Sequence, residues 1–190
     1  MKIKNALASR NKMDYVHAIT PATLAVTRIR VTYLITLTGS LLWCGALLAA
    51  PVLAASGNSA ASVIYEFFRP LCHQIDQRSL HLMHAPLAVC SRCTAIYFAF
   101  LAGVLLYPLA RSLDRPSVPG RRWLVLAALP MAIDVAAAMT GVHDSTPITR
   151  LITGGLLGFA LAWFCLPALL DAVERGIRHS ALVSSSRKDK

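Results

Sequence analysis

Cys72 and His73 stand side by side, His81 and His84 follow, and Cys90 and Cys93 close the group, so most of the chain's soft metal donors crowd into residues 72–93. Thiolates and imidazoles are the ligands that zinc and copper(I) favour. A C-x-x-C pair, a third cysteine and an imidazole can close a tetrahedral shell for zinc or offer soft ligands to copper(I). Cys72, His73, Cys90 and Cys93 are therefore the candidate metal site. Structural zinc sites usually carry two paired knuckles, whereas here one C-x-x-C meets one Cys-His step. Two other fates stay open for the same sulfurs: a structural or redox disulfide, which an oxidising compartment favours, and inert buried thiols. His81 and His84 are expected on a wet loop rather than among the ligands.

A second group is ionisable and surrounded by apolar sequence. Asp134 interrupts the run WLVLAALPMAIDVAAAMTG, and an ionised carboxylate in hydrocarbon costs several kcal/mol unless paired or hydrated. It should face a protein interior, with Arg92 or Arg150 as its partner. The functional reading is a proton-titrating or ligand-binding site, and the plainer one is a structural ion pair. Tyr97, one turn beyond Cys93, can donate to a thiolate, although interior and interfacial tyrosines are common.

The elements that carry these residues are apolar. Of the 190 residues 56% are hydrophobic and 15% charged, too apolar a balance for an ordinary soluble domain of this size. Four runs are long enough to cross about 30 Å of hydrocarbon at about 1.5 Å per residue. They cover residues 31–55, 86–110, 122–141 and 147–170, which predicts an all-α integral membrane four-helix bundle between basic tails at 1–30 and 172–190. Pro86 suits a first helical residue, Thr146-Pro147 reads as a helix start and Gly141 as a stop. If the second helix starts at Pro86, Cys90 and Cys93 share one face of its opening turns, where the helix dipole favours thiolates. Residues 63–68, with Val63, Ile64, Tyr65, Phe67 and Phe68, form an amphipathic piece suited to the outer headgroup level, and Pro70 discourages its continuation. Small residues at 49–55 are compatible with signal-peptidase cleavage, but the apolar run and its basic leader are longer than such signals usually are. The Ser-rich C-terminal end is expected to be disordered.

Charge sets an orientation. The formal net charge is +10, and fifteen of the nineteen Lys and Arg lie in the N-terminal tail, the loop between the second and third helices and the C-terminal tail. By the positive-inside rule those three segments are cytoplasmic, so both termini lie inside the cell (inner) membrane and the Cys/His group outside. Basic residues at helix ends serve as anchors, so nucleic acid is not the expected partner; the lipid bilayer is. Gly154, Gly155 and Gly158 make a small-residue face in the fourth helix, suited to packing within the bundle or to a homo-oligomer seam.

The combination Cys72-His73-Gln74, Arg78-Ser79, Pro86-Leu87 and Cys90-Ser91-Arg92-Cys93-Thr94, running into Ile96-Tyr97, resembles a domain-of-unknown-function family of small prokaryotic membrane proteins. Pro130, Asp134, Ser145-Thr146, Arg150, Thr153-Gly154 and Gly158 extend the resemblance across residues 72–158. The family commonly has Gly where this chain has Ala95 and Val135, two positions that the resemblance marks as close-packing sites. It implies no activity. No Gly-rich phosphate loop, G-x-S-x-G, H-E-x-x-H or haem-attachment motif is present, so nothing in the sequence nominates an enzyme. Three functions compete: a metal-binding membrane protein holding zinc or copper(I), a thiol-disulfide redox protein using Cys90 and Cys93, and an oligomeric transporter component using Asp134 and Arg150.

Overall fold

The computed structural model describes residues 2–113, 117–142 and 144–188, with side chains for 26–113, 117–142 and 144–176. Arg115 and Lys190, two of the charges behind the expected orientation, lie outside the described residues. The element order is α1 (Lys2–Ala55), α2 (Ala60–Phe68), a single 3-10 turn (Asp76–Arg78), β1 (Ser79–Leu82), β2 (Ala85–Cys90), α3 (Ser91–Ala110), α4 (Arg121–Met139) and α5 (Pro147–Lys188). Among the described residues four helical stretches are long and apolar enough to span a membrane: Val26–Ala55, Ser91–Ala110, Arg121–Met139 and Pro147–Gly176.

Local chemistry sets the helix ends. Gly57 at φ +71° lets the chain turn after α1, and the Asn58 amide reaches back to the Leu53 carbonyl at 2.9 Å. Gly141 at φ +70° does the same after α4, with the Val142 amide on the Ala137 carbonyl at 3.1 Å. The Thr146 hydroxyl accepts the Thr149 amide at 3.2 Å and caps α5, with Pro147 in the first helical position.

Two expectations are corrected. Residues 85–90 form a strand rather than the first turns of a helix: β2 pairs antiparallel with β1, with His81 opposite Pro86 and Leu82 opposite Ala85. A short apolar run such as PLAVC fits a buried strand as well as a helix, and Leu87, Ala88 and Val89 are all buried here. Met83 and His84 form the two-residue hairpin turn with φ +53° and +65°, the backbone sign that a type I′ turn demands at both positions. The basic N-terminal segment is a helical continuation of the first span, and the Ser-rich end expected to be disordered is helical in α5 as far as Lys188.

The spans alternate in direction. Ile29 of α1, Val104 and Tyr107 of α3, and Ala162, Leu166 and Leu170 of α5 form one buried cluster, with Leu113 packed against it. Leu47 and Ala50 of α1, Phe68, Cys72, Ala88 and Val89 form another, joined by Trp43, Cys93 and Tyr97. The start of the first span, the end of the last and Leu113 therefore meet at one end of the bundle, and Cys72, Cys90 and Cys93 lie at the other.

Glycines set the spacing of α3 against α5. A Cβ on Gly158 would stand 2.2 Å from the Ile96 carbonyl oxygen, and one on Gly154 would stand 2.6 Å from that of Arg92. On the face expected to serve bundle packing or a homo-oligomer seam, Gly154 and Gly158 thus pack against α3, while Gly155 has open space beside it. Ala95, one of the two positions where the family commonly has Gly, would lie 3.3 Å from a Gly154 Cβ, which identifies it as a tight contact.

Candidate metal centre and arginine cleft

Cys72 lies just beyond α2. Phe68 is fully buried and packs edge-on to Trp43 at 5.0 Å, and the Cys72 amide donates to the Phe68 carbonyl at 3.1 Å, so the anchored helix end fixes where the cysteine emerges. Gln74 then bends the chain at φ +50°. Its side-chain amide donates to the Tyr65 carbonyl at 2.7 Å and the Ala88 carbonyl at 2.8 Å, while the Tyr65 hydroxyl donates to the Pro86 carbonyl at 2.6 Å. These three bonds stitch the Cys72 loop to α2 and β2.

Cys90 ends β2 and occupies the extended N-cap position of α3, and Cys93 lies in the first turn. The expectation that the two cysteines share a helical face from a start at Pro86 is therefore corrected, because Cys90 precedes the helix. They converge because the strand-to-helix corner folds back on itself. The sulfurs of Cys72, Cys90 and Cys93 all lie within 4.8 Å of one another, and the Cys90 amide donates to the Cys72 sulfur at 3.2 Å. All five cysteines are free thiols. The Cys90 thiol is held far below the ordinary thiol range, first by hydrogen bonding from Cys72, then by that from Cys93. The backbone N–H groups of Cys93 and Arg92 at the head of α3 lower it further, although none forms a capping bond of normal geometry.

The structure separates the remaining donors from this trio. His73 is exposed beside Cys72 and is not among the donor atoms that converge there. His81 pairs with Asp76 at 3.0 Å on the exposed face of β1, and His84 is exposed in the hairpin turn. Tyr97 packs edge-on to Trp43 at 5.6 Å.

Beside the sulfurs opens a cleft of about 300 Å3, lined by Cys72, His73, Gln74, Ile75, Arg78, Cys90, Arg92 and Arg150. Arg92 forms an ion pair with Asp134, whose side chain is 7% exposed. Asp134 sits in the last third of α4, not at its middle, which brings it level with the heads of α3 and α5. Ser145 joins the three charges. Its hydroxyl accepts from Arg92 at 3.1 Å and from the Arg150 Nε at 3.1 Å, and donates to the Asp134 carboxylate at 2.8–2.9 Å. Sequence reasoning selected Asp134, Arg92 and Arg150 but gave Ser145, Gln74 and Arg78 no role of their own; their presence in the family pattern was the available signal.

Alternating apolar helices with a three-thiol cluster at one end define a small helical membrane protein. A family model described as predicted membrane protein (DUF2085) matches residues 72–164. An uncharacterized protein of Methanocaldococcus jannaschii is 31% identical over 149 residues, covering 75% of this chain and 96% of its own length. The chain belongs to this predicted membrane protein family. No solved structure matches it.

Proposed function

We propose that this protein binds a soft metal ion, zinc or copper(I), through Cys72, Cys90 and Cys93. The observation that carries this reading is the convergence of three free sulfurs within 4.8 Å from two segments held by separate hydrogen bonds. That spacing suits three vertices of one tetrahedron, in which zinc–sulfur distances are about 2.3 Å. Rotation of the adjacent, exposed His73 can supply the fourth ligand, or the position stays open to the cleft. The metal clips the Cys72 loop to the head of α3 or is handled there for delivery.

The charge bias supports an orientation with cytoplasmic termini in the cell membrane and the thiol end outside, with α2 at the headgroup level. A redox role is less well supported, because thiol exchange with a partner ordinarily uses a second cysteine pair. Cys44 bonds to the Tyr97 carbonyl at 3.6 Å, and Cys165 lies on α5. A transport role through Asp134 is likewise weakened by its engagement with Arg92 and Ser145.

Metal analysis of detergent-purified protein tests the proposal. About one equivalent of zinc or copper is expected in wild type, with weaker binding in Cys72→Ser and Cys93→Ser. Metal-free protein that takes up neither ion under reducing conditions overturns it.

A further inference from the structure

The arginine cleft beside the thiols has a charge pattern that the metal reading does not use. Helix N-termini carry partial positive charge and favour acidic side chains in the first turn. Neither α3 nor α5 has one; Arg92 occupies the first turn of α3 and Arg150 that of α5, and both line the same cleft. Arg78 adds a third guanidinium from the 3-10 turn.

The described partners do not balance this charge. Asp134 pairs with Arg92 alone. Arg150 bonds only to the neutral Ser145 hydroxyl, and the Arg78 guanidinium has no hydrogen-bond or ion-pair partner among the described residues. The Nε of Arg92 is buried and also lacks a partner. Three guanidiniums against one carboxylate leave a formal +2, directed by two helix ends. Zinc with three thiolates carries −1, which leaves the cleft positive even when a zinc site is filled.

We propose that this cleft binds a phosphate group, with Arg78 and Arg150 as its direct ligands and Arg92, held by Asp134, at its wall. Guanidiniums present paired N–H donors that match phosphate oxygens, and helix N-termini add partial positive charge of the same polarity. The cleft's place at the end of the apolar spans puts it where lipid phosphates and soluble phosphate are both within reach. The inference does not require metal binding, because the arginines and helix ends are in place without an ion.

The test uses the full chain purified in a phosphate-free neutral detergent and follows thermal unfolding. One arm compares inorganic phosphate with chloride at equal ionic strength; the other compares phosphatidylglycerol with diacylglycerol added to the micelles. At least one phosphate source is expected to raise the midpoint by several degrees, and the shift is expected to fall by more than half in Arg150→Gln and to vanish in the Arg78→Gln/Arg150→Gln double variant. A response to inorganic phosphate assigns a soluble ligand, and a response to phosphatidylglycerol alone assigns a lipid headgroup. Arg78 is exposed, so Arg78→Gln serves as the informative variant if changes at Arg150 impair folding. No shift from either source, or a shift of equal size in the arginine variants, overturns the proposal. Metal content measured on the same samples reads the thiol site separately: wild type without metal but with a phosphate response fails the metal reading alone.

Discussion

The amide of Cys90 donates to the sulfur of Cys72 at 3.2 Å across eighteen residues of sequence. That bond can form only when the hairpin carrying Cys90 and the loop carrying Cys72 are locked together, and Gln74 is the side chain that locks them. Replacing Gln74 with Ala leaves the Tyr65 and Ala88 carbonyls unpaired, at a cost of about 1–3 kcal/mol. Gln74→Ala is expected to lower the unfolding midpoint in detergent and to weaken zinc binding about 10-fold or more, as loss of supporting bonds around a metal site does. Wild-type affinity in a chelator-competition titration would show that the clamp does not position the sulfurs.

Asp134 is expected to tolerate Asn better than Leu. An amide can still accept from Arg92 and Ser145, whereas leucine leaves the Arg92 charge buried without its counter-ion, a loss of about 3–5 kcal/mol. Equal unfolding midpoints for the two variants would mean that the pair with Arg92 is not what holds the head of α3 and the C-terminal end of α4 together.

The glycines of α5 offer an internal control. Gly155 has open space where a Cβ would be, and Gly158 faces the Ile96 backbone at 2.2 Å. Gly155→Ala is expected to be neutral or to stabilise by up to about 1 kcal/mol through helix propensity. Gly158→Ala must push α3 away from α5 and is expected to destabilise by about 1–3 kcal/mol, as overpacking does. Loss of a dimer without loss of stability in Gly158→Ala would instead place this face between two copies.

The membrane-spanning segments were legible because each is a long apolar run, and their caps were legible at Thr146, Pro147 and Gly141. The identity of the cysteine trio followed from residue type. Its geometry did not, because PLAVC reads as helix or strand until its partner strand is known, and that partner, SLHL, has no strong pattern of its own. The Gly154 and Gly158 face fitted two kinds of helix contact, and the packing against the Arg92 and Ile96 backbone is visible only in the structure. Ser145 and Gln74 were missed as organisers for one common reason. Each acts through hydrogen bonds to groups distant in sequence, Ser145 to Arg92 across 53 residues and Gln74 to Ala88 across 14, and periodicity carries no trace of such pairs.

The proposed orientation predicts that reporters fused at Asn5, in the 115–120 loop and at Ser185 all register the cytoplasm, while one at Ser59 registers the outside. Fifteen of the nineteen basic residues on the first three segments motivate this. An outward reading for the 115–120 loop would reverse the compartment assigned to the thiols.

X-ray absorption at the metal edge of purified wild-type protein bears most directly on the metal site. The account predicts about one metal per chain with three sulfur neighbours, at about 2.3 Å if the ion is zinc, and a sulfur count that falls to two in Cys72→Ser. A metal shell with no more than one sulfur, or a wild-type spectrum unchanged by Cys72→Ser, would contradict it.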